Sequence, residues 1–345
     1  MKYNVAFIGF GKVGQGLAEL LLEKEKLLRE EHGFEYSVVA ISDLLRGSIY
    51  NPEGLKLSEL LSLVREGGRV DGYPQGEKGW DSLRTIEESN ADIIVEVTWT
   101  DIRTGEPGLS HIKAALRSKK HVVTTNKGPI ALAYRELSEL AKAKGVFLRF
   151  EGTVLSGTPS LNLGLEALAG AEVKEIKGIL NGTTNYILTE MAKGKSYEEA
   201  LREAQRLGYA EAKPDADVEG WDALAKIVIL ANVLMDGDIK VADVERKGIT
   251  EITSADVEKA EREGKCWKLI ARAWRDDGNI KARVTPEKVD QGDLLAAIGG
   301  VKNALVLDTD VLGEVMIIGP GAGGREAGFA LLSDMLSIHR LLTGH

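Results

Sequence analysis

Val5-Ala6-Phe7-Ile8 runs directly into Gly9-Phe10-Gly11-Lys12-Val13-Gly14, and leucines at Leu17, Leu20, Leu21, Leu27 and Leu28 then recur at helical spacing. A short apolar run, a glycine turn and a long periodic helix, in that order, predict the opening strand and helix of a parallel βαβ unit. The three glycines have separate tasks. Gly9 allows the tight turn, Gly11 lets backbone approach a pyrophosphate, and Gly14 lets helix and strand pack closely. Phosphates would then sit on the helix N-terminus, against Gly9, Phe10, Gly11, Lys12, Val13 and Gly14. The spacing therefore predicts a Rossmann-type dinucleotide-binding domain. The bland alternative is a tight strand-to-helix turn with no ligand.

Working outward, Ser37-Val38-Val39-Ala40-Ile41 reads as the second strand, with Asp43 at its end. An acid there would hold the adenosine ribose, which favours NAD, whereas Arg46 nearby suits the 2′-phosphate of NADP. The weaker alternative is that both are solvated loop charges. Leu55 to Arg65 and Leu83 to Glu88 read as peripheral helices joined by an irregular stretch from Gly67 to Gly79. Ile93-Ile94-Val95-Glu96-Val97-Thr98 reads as a buried parallel strand, and ligands gather at such C-terminal ends, so Thr98 and Trp99 would border the nicotinamide. His121-Val122-Val123-Thr124-Thr125-Asn126-Lys127-Gly128-Pro129 is a further strand ending in a polar turn, which aims Lys127 at the same crevice. Val146 to Phe150 closes the sheet, and the first domain is placed at 1–150.

The second half reads differently. Glu151-Gly152-Thr153-Val154-Leu155-Ser156-Gly157-Thr158-Pro159 is a small-residue loop, suited to an oxygen-coordinated cation or, more simply, to a crossing between domains. Lys177 to Leu180 reads as a strand that ends in Asn181-Gly182-Thr183-Thr184-Asn185, small polar residues that would serve a polar substrate or act as ordinary helix N-caps. Gly208 caps the helix from Glu198 to Leu207. From Gly208 to Lys226 five carboxylates (Glu211, Asp215, Asp217, Glu219 and Asp222) precede one lysine, and Ile227 to Met235 continues as an almost wholly apolar helix. Lys226 thus enters a core, where a charge must be paired or functional. The rival reading is a surface i,i+4 pair between Asp222 and Lys226. Trp267 to Trp274 and Asn279 to Thr285 read as antiparallel strands around an Asp276-Asp277-Gly278-Asn279 turn, extended by Val301 to Leu307 and Glu314 to Ile318. The fold class expected is α/β: the Rossmann-type domain plus an α+β substrate and dimerisation domain at 151–318 with a mainly antiparallel sheet. The segment 319–345, with a helix over Phe329 to Leu342, would rejoin the first domain.

Composition narrows the function. A hydrophobic share of 43% supports a sizeable core, and a net charge of −9 without a basic stripe speaks against nucleic-acid partners. Cys266 is the one cysteine, so the chain needs no oxidising compartment and offers no Cys-rich zinc site. The start shows no signal peptide, and no apolar run reaches the ~18 residues of a membrane span. A cytoplasmic enzyme is the expectation. None of the five histidines lies in a motif, against a His-based hydroxy-acid dehydrogenase, and His345 reads as a tail residue.

The chain resembles homoserine dehydrogenase, which interconverts L-aspartate 4-semialdehyde and L-homoserine with NAD(P)H. The resemblance covers nearly the whole chain. It rests on the glycine loop, Thr125-Asn126-Lys127, Glu151 to Pro159, Asn181 to Asn185, the Gly-Tyr-Ala-Glu of Gly208 to Glu211 with Pro214, Asp217-Val218, Gly220, Asp222 and Lys226, and the Gly319 to Gly324 turn. It implies that Lys226 is the proton donor, and that Gly208, Glu211 and Asp222 hold the substrate, with Asp217, Asn181 and Thr183 in support. Lys127 would lie beside cofactor and substrate, and Gly323 would touch the cofactor. The family's monovalent-cation loop maps onto Glu151, Val154, Ser156 and Thr158, which turns the crossing into a sodium site. A homodimer is also implied. Two departures stand out: Lys213 replaces an acid before Pro214, and Ala327 replaces a threonine that would give the cofactor one hydrogen bond. The length leaves no room for the C-terminal regulatory domain of some members.

An aldehyde reductase needs a hydride from the nicotinamide and a proton for the developing alkoxide, and a lysine suits the second task. Lys127 would polarise the carbonyl or take the substrate carboxylate. Three rivals follow. A sugar oxidoreductase with a lysine-proline turn matches Lys127 and Pro129 but leaves Gly208 to Lys226 unexplained. Aspartate-semialdehyde dehydrogenase needs a nucleophilic cysteine, and Cys266 reads as a buried strand thiol. A non-catalytic nucleotide sensor would have no use for the lysine behind the carboxylates.

Overall fold

A computed structural model describes residues 1–344; His345 lies outside the described residues. The chain divides into two units, residues 1–157 with 323–345 and residues 158–322.

In the first unit β1 (Lys2–Ile8), α1 (Lys12–Glu23) and α2 (Glu25–His32) open the fold. The single long helix expected from the leucine spacing is two, broken at Lys24. Then come β2 (Glu35–Asp43), β3 (Gly47–Tyr50), α3 (Leu57–Arg65), β4 (Glu77–Lys78), α4 (Ser82–Glu88), β5 (Ile93–Glu96), α5 (Gly108–Arg117), β6 (His121–Thr124), α6 (Lys127–Lys144) and β7 (Leu148–Arg149). The sheet order is β4-β3-β2-β1-β5-β6-β7, with β2, β1, β5, β6 and β7 parallel and β3 and β4 antiparallel at one edge. Val5 to Ile8 and Ile93 to Val95 have no exposure at all, as strands covered on both faces require. β3 is an element that sequence reading missed, because its Gly47-Ser48-Ile49-Tyr50 is too short to show alternation.

The second unit contains α7 (Ser160–Asn162), β8 (Val173–Ile179), α8 (Gly182–Met191), α9 (Tyr197–Arg206), α10 (Asp215–Val218), α11 (Trp221–Leu234), β9 (Glu245–Arg246), α12 (Ser254–Arg262), β10 (Lys265–Asp276), β11 (Asn279–Asp290), β12 (Lys302–Thr309) and β13 (Gly313–Pro320). Its sheet runs β13-β12-β8-β10-β11-β9, antiparallel except where β9 meets β11. Asp277 and Gly278, both at positive φ, form the β10–β11 turn, the backbone that a tight hairpin demands. α11 packs its apolar residues against β8, β10 and β11.

α13 (Gly324–Thr343) returns to the first unit and lies along α1. The approach is close: a Cβ on Gly16 would stand 2.4 Å from the Gly324 carbonyl, and one on Gly328 2.5 Å from the Leu17 nitrogen. Leu331, Leu332, Met335 and Ile338 then join the core of Leu17, Leu20 and Leu21. The Glu151 amide donates to Asp334 on α13 (2.9 Å), which ties the stretch after β7 to this unit. Among the described residues no helix is long and apolar enough to cross a membrane.

Candidate active site

The first unit supplies a backbone-built half-site. Gly9 sits at φ +96°, and a Cβ there would stand 2.7 Å from the Val97 carbonyl, so the turn needs glycine on two counts. A Cβ on Gly14 would meet the Gly9 carbonyl at 2.8 Å, whereas Gly11 has open space around it. No side chain caps α1, whose first-turn N–H groups therefore present a site for phosphate. The residues present fit the pyrophosphate of a dinucleotide. Gly323 is brought to the same end, since Gly324 lies over the Lys12 carbonyl.

Asp43 is committed to the protein. Oδ2 accepts the Phe10 amide (2.7 Å), and Oδ1 accepts those of Leu45 (2.9 Å) and Arg46 (2.8 Å). It thereby locks the end of β2 to the glycine loop. Thr98 is half-buried at the end of β5, Trp99 is 70% exposed, and Lys127 opens α6 next to them in the sheet order.

The second unit supplies a half-site built from side chains. Lys226 is 5% exposed, and its Nζ donates to Asp222 Oδ2 (2.7 Å) and to the Leu180 carbonyl (2.6 Å). A surface pair is thus ruled out. Asn181 Nδ2 bridges two acids, Asp217 Oδ1 at 2.7 Å and Asp222 Oδ2 at 2.9 Å. Thr183 Oγ1 stands 3.0 Å from Asp217 Oδ2 and 2.7 Å from the Tyr209 carbonyl, and its single hydroxyl hydrogen serves one of the two at a time. Asn181, not a threonine, is the N-cap of α8, accepting the Thr184 amide at 2.9 Å. Burial raises the Asp217 carboxyl above its ordinary value, the neighbouring Asp222 charge adds to this, and the Asn181 and Thr183 hydrogen bonds oppose it.

The structure therefore brings Asn181, Thr183, Asp217, Asp222 and Lys226 into one hydrogen-bonded group from three separate stretches of chain. Glu211 is exposed, as are Asp215 and Glu219. Gly208, at φ +76°, is the left-handed residue just past α9. Cys266 is half-buried, and burial pushes its thiol pKa up, the reverse of what a nucleophile requires.

Glu151 and Val154 line the turn at the end of the first unit, in which Leu155 (φ 54°) and Ser156 (φ 52°) are consecutive left-handed residues other than glycine. Thr158 opens the second unit, where its Oγ1 donates to the Pro320 carbonyl at 3.1 Å.

Comparison with known proteins assigns each of the two units to a described family domain. Residues 9–151 match the family model described as homoserine dehydrogenase, NAD binding domain, and residues 159–336 match the model described as homoserine dehydrogenase. The chain belongs to the homoserine dehydrogenase family. It is an NAD(P)-dependent oxidoreductase of the Rossmann type, as the resemblance implied. It is 44% identical over 343 residues to the NAD(+)-dependent homoserine dehydrogenase of Pseudomonas canavaninivorans, covering 99% of this chain and 97% of that one. It is 41% identical to the homoserine dehydrogenase of Methanocaldococcus jannaschii, covering 97% and 98%. A hyperthermophilic archaeal homoserine dehydrogenase in complex with NADPH superposes with a TM-score of 0.84 at 32% identity, over 98% of each chain.

One feature of the first half-site escaped sequence reading. Glu96 has no exposure, although it stands in an otherwise apolar strand. A carboxylate inside a run such as Ile93-Ile94-Val95-Glu96-Val97 was the available signal, since a buried acid needs partners.

Proposed function

We propose that the chain reduces L-aspartate 4-semialdehyde to L-homoserine, with Lys226 as the group that gives the developing alkoxide its proton and takes it back in reverse. The observation that carries this reading is the burial of Lys226 between Asp222 and the Leu180 carbonyl. An ammonium has three donors, and two are held by fixed acceptors, which aims the third. The bound nicotinamide supplies or accepts the hydride.

Asp217 and Asp222 set two carboxylates against one lysine within a buried group, and a substrate ammonium would balance the excess charge. Glu211 and Gly208 flank that ammonium in our reading. Thr183 and Asn181 hold the acids in place rather than the substrate directly, because their donors are already engaged. Lys127 is the second catalytic lysine, from the first unit.

NAD is the preferred cofactor in this account. Asp43 at the end of β2 and the NAD(+)-dependent Pseudomonas relative support it, while Arg46, three residues on, is the side chain that would instead meet a 2′-phosphate. Glu151, Val154, Ser156 and Thr158 would hold a sodium ion, for which the two left-handed residues in succession, a costly backbone, are the support. A homodimer would form through the face of the second sheet that carries Glu175, Lys177, Arg272 and Trp274, all half-buried.

The test is oxidation of NADH and NADPH, followed at the nicotinamide absorbance, with L-aspartate 4-semialdehyde and with succinate semialdehyde, which lacks the ammonium. The account expects turnover with the first aldehyde, little with the second, and a higher kcat/KM with NADH. Equal rates on both aldehydes would remove the ammonium site from the account.

A further inference from the structure

The buried carboxylate of Glu96 ties together the two loops that follow β5 and β6. Its Oε2 accepts the Thr124 hydroxyl at 3.1 Å. Its Oε1 accepts the Thr98 amide at 3.2 Å and the Thr98 hydroxyl as well. His111, on α5 and 6% exposed, brings Nδ1 to 3.5 Å from Oε1.

As a carboxylate Glu96 can only accept, and this sets the direction of everything beyond it. Thr124 and Thr98 must turn their hydroxyl hydrogens inward, which leaves their lone pairs facing out. Thr124 Oγ1 then accepts the Asn126 amide (3.0 Å), and Thr98 Oγ1 accepts Asn126 Nδ2 (3.4 Å). The same Nδ2 donates to the Trp99 carbonyl (3.2 Å), while Asn126 Oδ1 accepts the Thr100 hydroxyl (3.0 Å). Asn126 is the residue before Lys127 and stands at the N-cap position of α6. α5 makes room for it: a Cβ on Gly108 would stand 2.5 Å from Asn126 Nδ2. Residues 98–100 and 124–126 are thus one hydrogen-bonded piece, polarised from Glu96 outward, with Lys127 at its edge.

We propose that Glu96 is a positioning residue for nicotinamide binding, with Thr124 and Thr98 as the relays to the Trp99 and Lys127 loops. The proposal deepens, and rests on, the reading that Thr98, Trp99 and Lys127 border the cofactor. A glutamine in place of Glu96 has to point its oxygen at the Thr98 amide and its NH₂ at Thr124, which strands the Thr124 hydroxyl hydrogen. Thr124→Val breaks the same link without touching the crevice, and Thr124→Ser keeps it.

The experiment measures the KM for NADH, the KM for L-aspartate 4-semialdehyde and the melting temperature in Glu96→Gln, Thr124→Val, Thr124→Ser and Lys127→Ala. The expected result is a roughly tenfold rise in the cofactor KM for Glu96→Gln and Thr124→Val, a value within about twofold of the wild type for Thr124→Ser, and an aldehyde KM that hardly moves. Should Glu96→Gln not fold, the threonine pair decides. A wild-type cofactor KM in Thr124→Val, beside a raised one in Lys127→Ala, overturns the positioning role alone. Wild-type values in both overturn the reading of the crevice, and the proposal with it.

Discussion

The two half-sites are made of different material. The first is backbone: Gly9, Gly11 and Gly14 expose the amides of α1, and Asp43 fastens that loop to β2. The second is side chain: Asn181, Thr183, Asp217, Asp222 and Lys226 converge from three stretches and satisfy one another. A backbone site tolerates varied side chains but no added Cβ, whereas a buried polar network depends on each partner being present. Recognition of the cofactor and movement of the proton should therefore fail independently.

The largest expected effect is on the second half-site. Lys226→Ala should lower kcat by about 10²- to 10⁴-fold, the range of a lost general acid, in the NADH-linked assay with L-aspartate 4-semialdehyde. Retention of more than about a tenth of the turnover would mean that another group moves the proton.

A smaller effect of the opposite kind is expected from Gly9→Ala. The added Cβ would meet the Val97 carbonyl at a φ of +96°, and strain of about 1–3 kcal/mol should raise the cofactor KM roughly five- to hundredfold. Its kcat at saturating NADH should stay near that of the wild type. A kcat loss as deep as that of Lys226→Ala would erase the distinction between the halves.

The smallest effect concerns stability. The Asp217 carboxyl is raised above its ordinary 3.8, so the folded state binds this proton more tightly than the unfolded chain does. By linkage its contribution to stability declines as pH rises from about 4 through the folded-state pKa. Asparagine cannot titrate. The melting temperature of Asp217→Asn should therefore gain on that of the wild type between about pH 4 and 7, whatever the offset between them, in thermal scans at fixed ionic strength. A gap that narrows with rising pH would reverse the sign assigned to Asp217.

How much of this was legible in the sequence follows from the same contrast. The glycine loop could be read from residues alone, because spacing along one turn carries its whole geometry. The buried parallel strands themselves were equally plain in Val5 to Ile8 and Ile93 to Val95, though not their order in the sheet. Lys226 announced itself as a charge entering an apolar helix, yet its partners did not. That Asn181 bridges Asp217 and Asp222 depends on β8, α10 and α11 coming together, which no local pattern encodes. Asn181 to Asn185 read equally well as a site for a polar substrate and as ordinary N-caps, and only the fold shows that Asn181 caps α8 while Thr183 turns to Asp217. β3 and the break at Lys24 were hidden for a simpler reason, since four residues or a single kinked position barely disturb the periodicity on either side.

The central claim, that cofactor recognition and proton movement are housed separately, is tested most directly by titrating the Lys226→Ala variant with NADH and following protein fluorescence. The account predicts a dissociation constant within about twofold of the wild type in a protein that has lost its turnover. A dissociation constant weakened by about tenfold or more would contradict it.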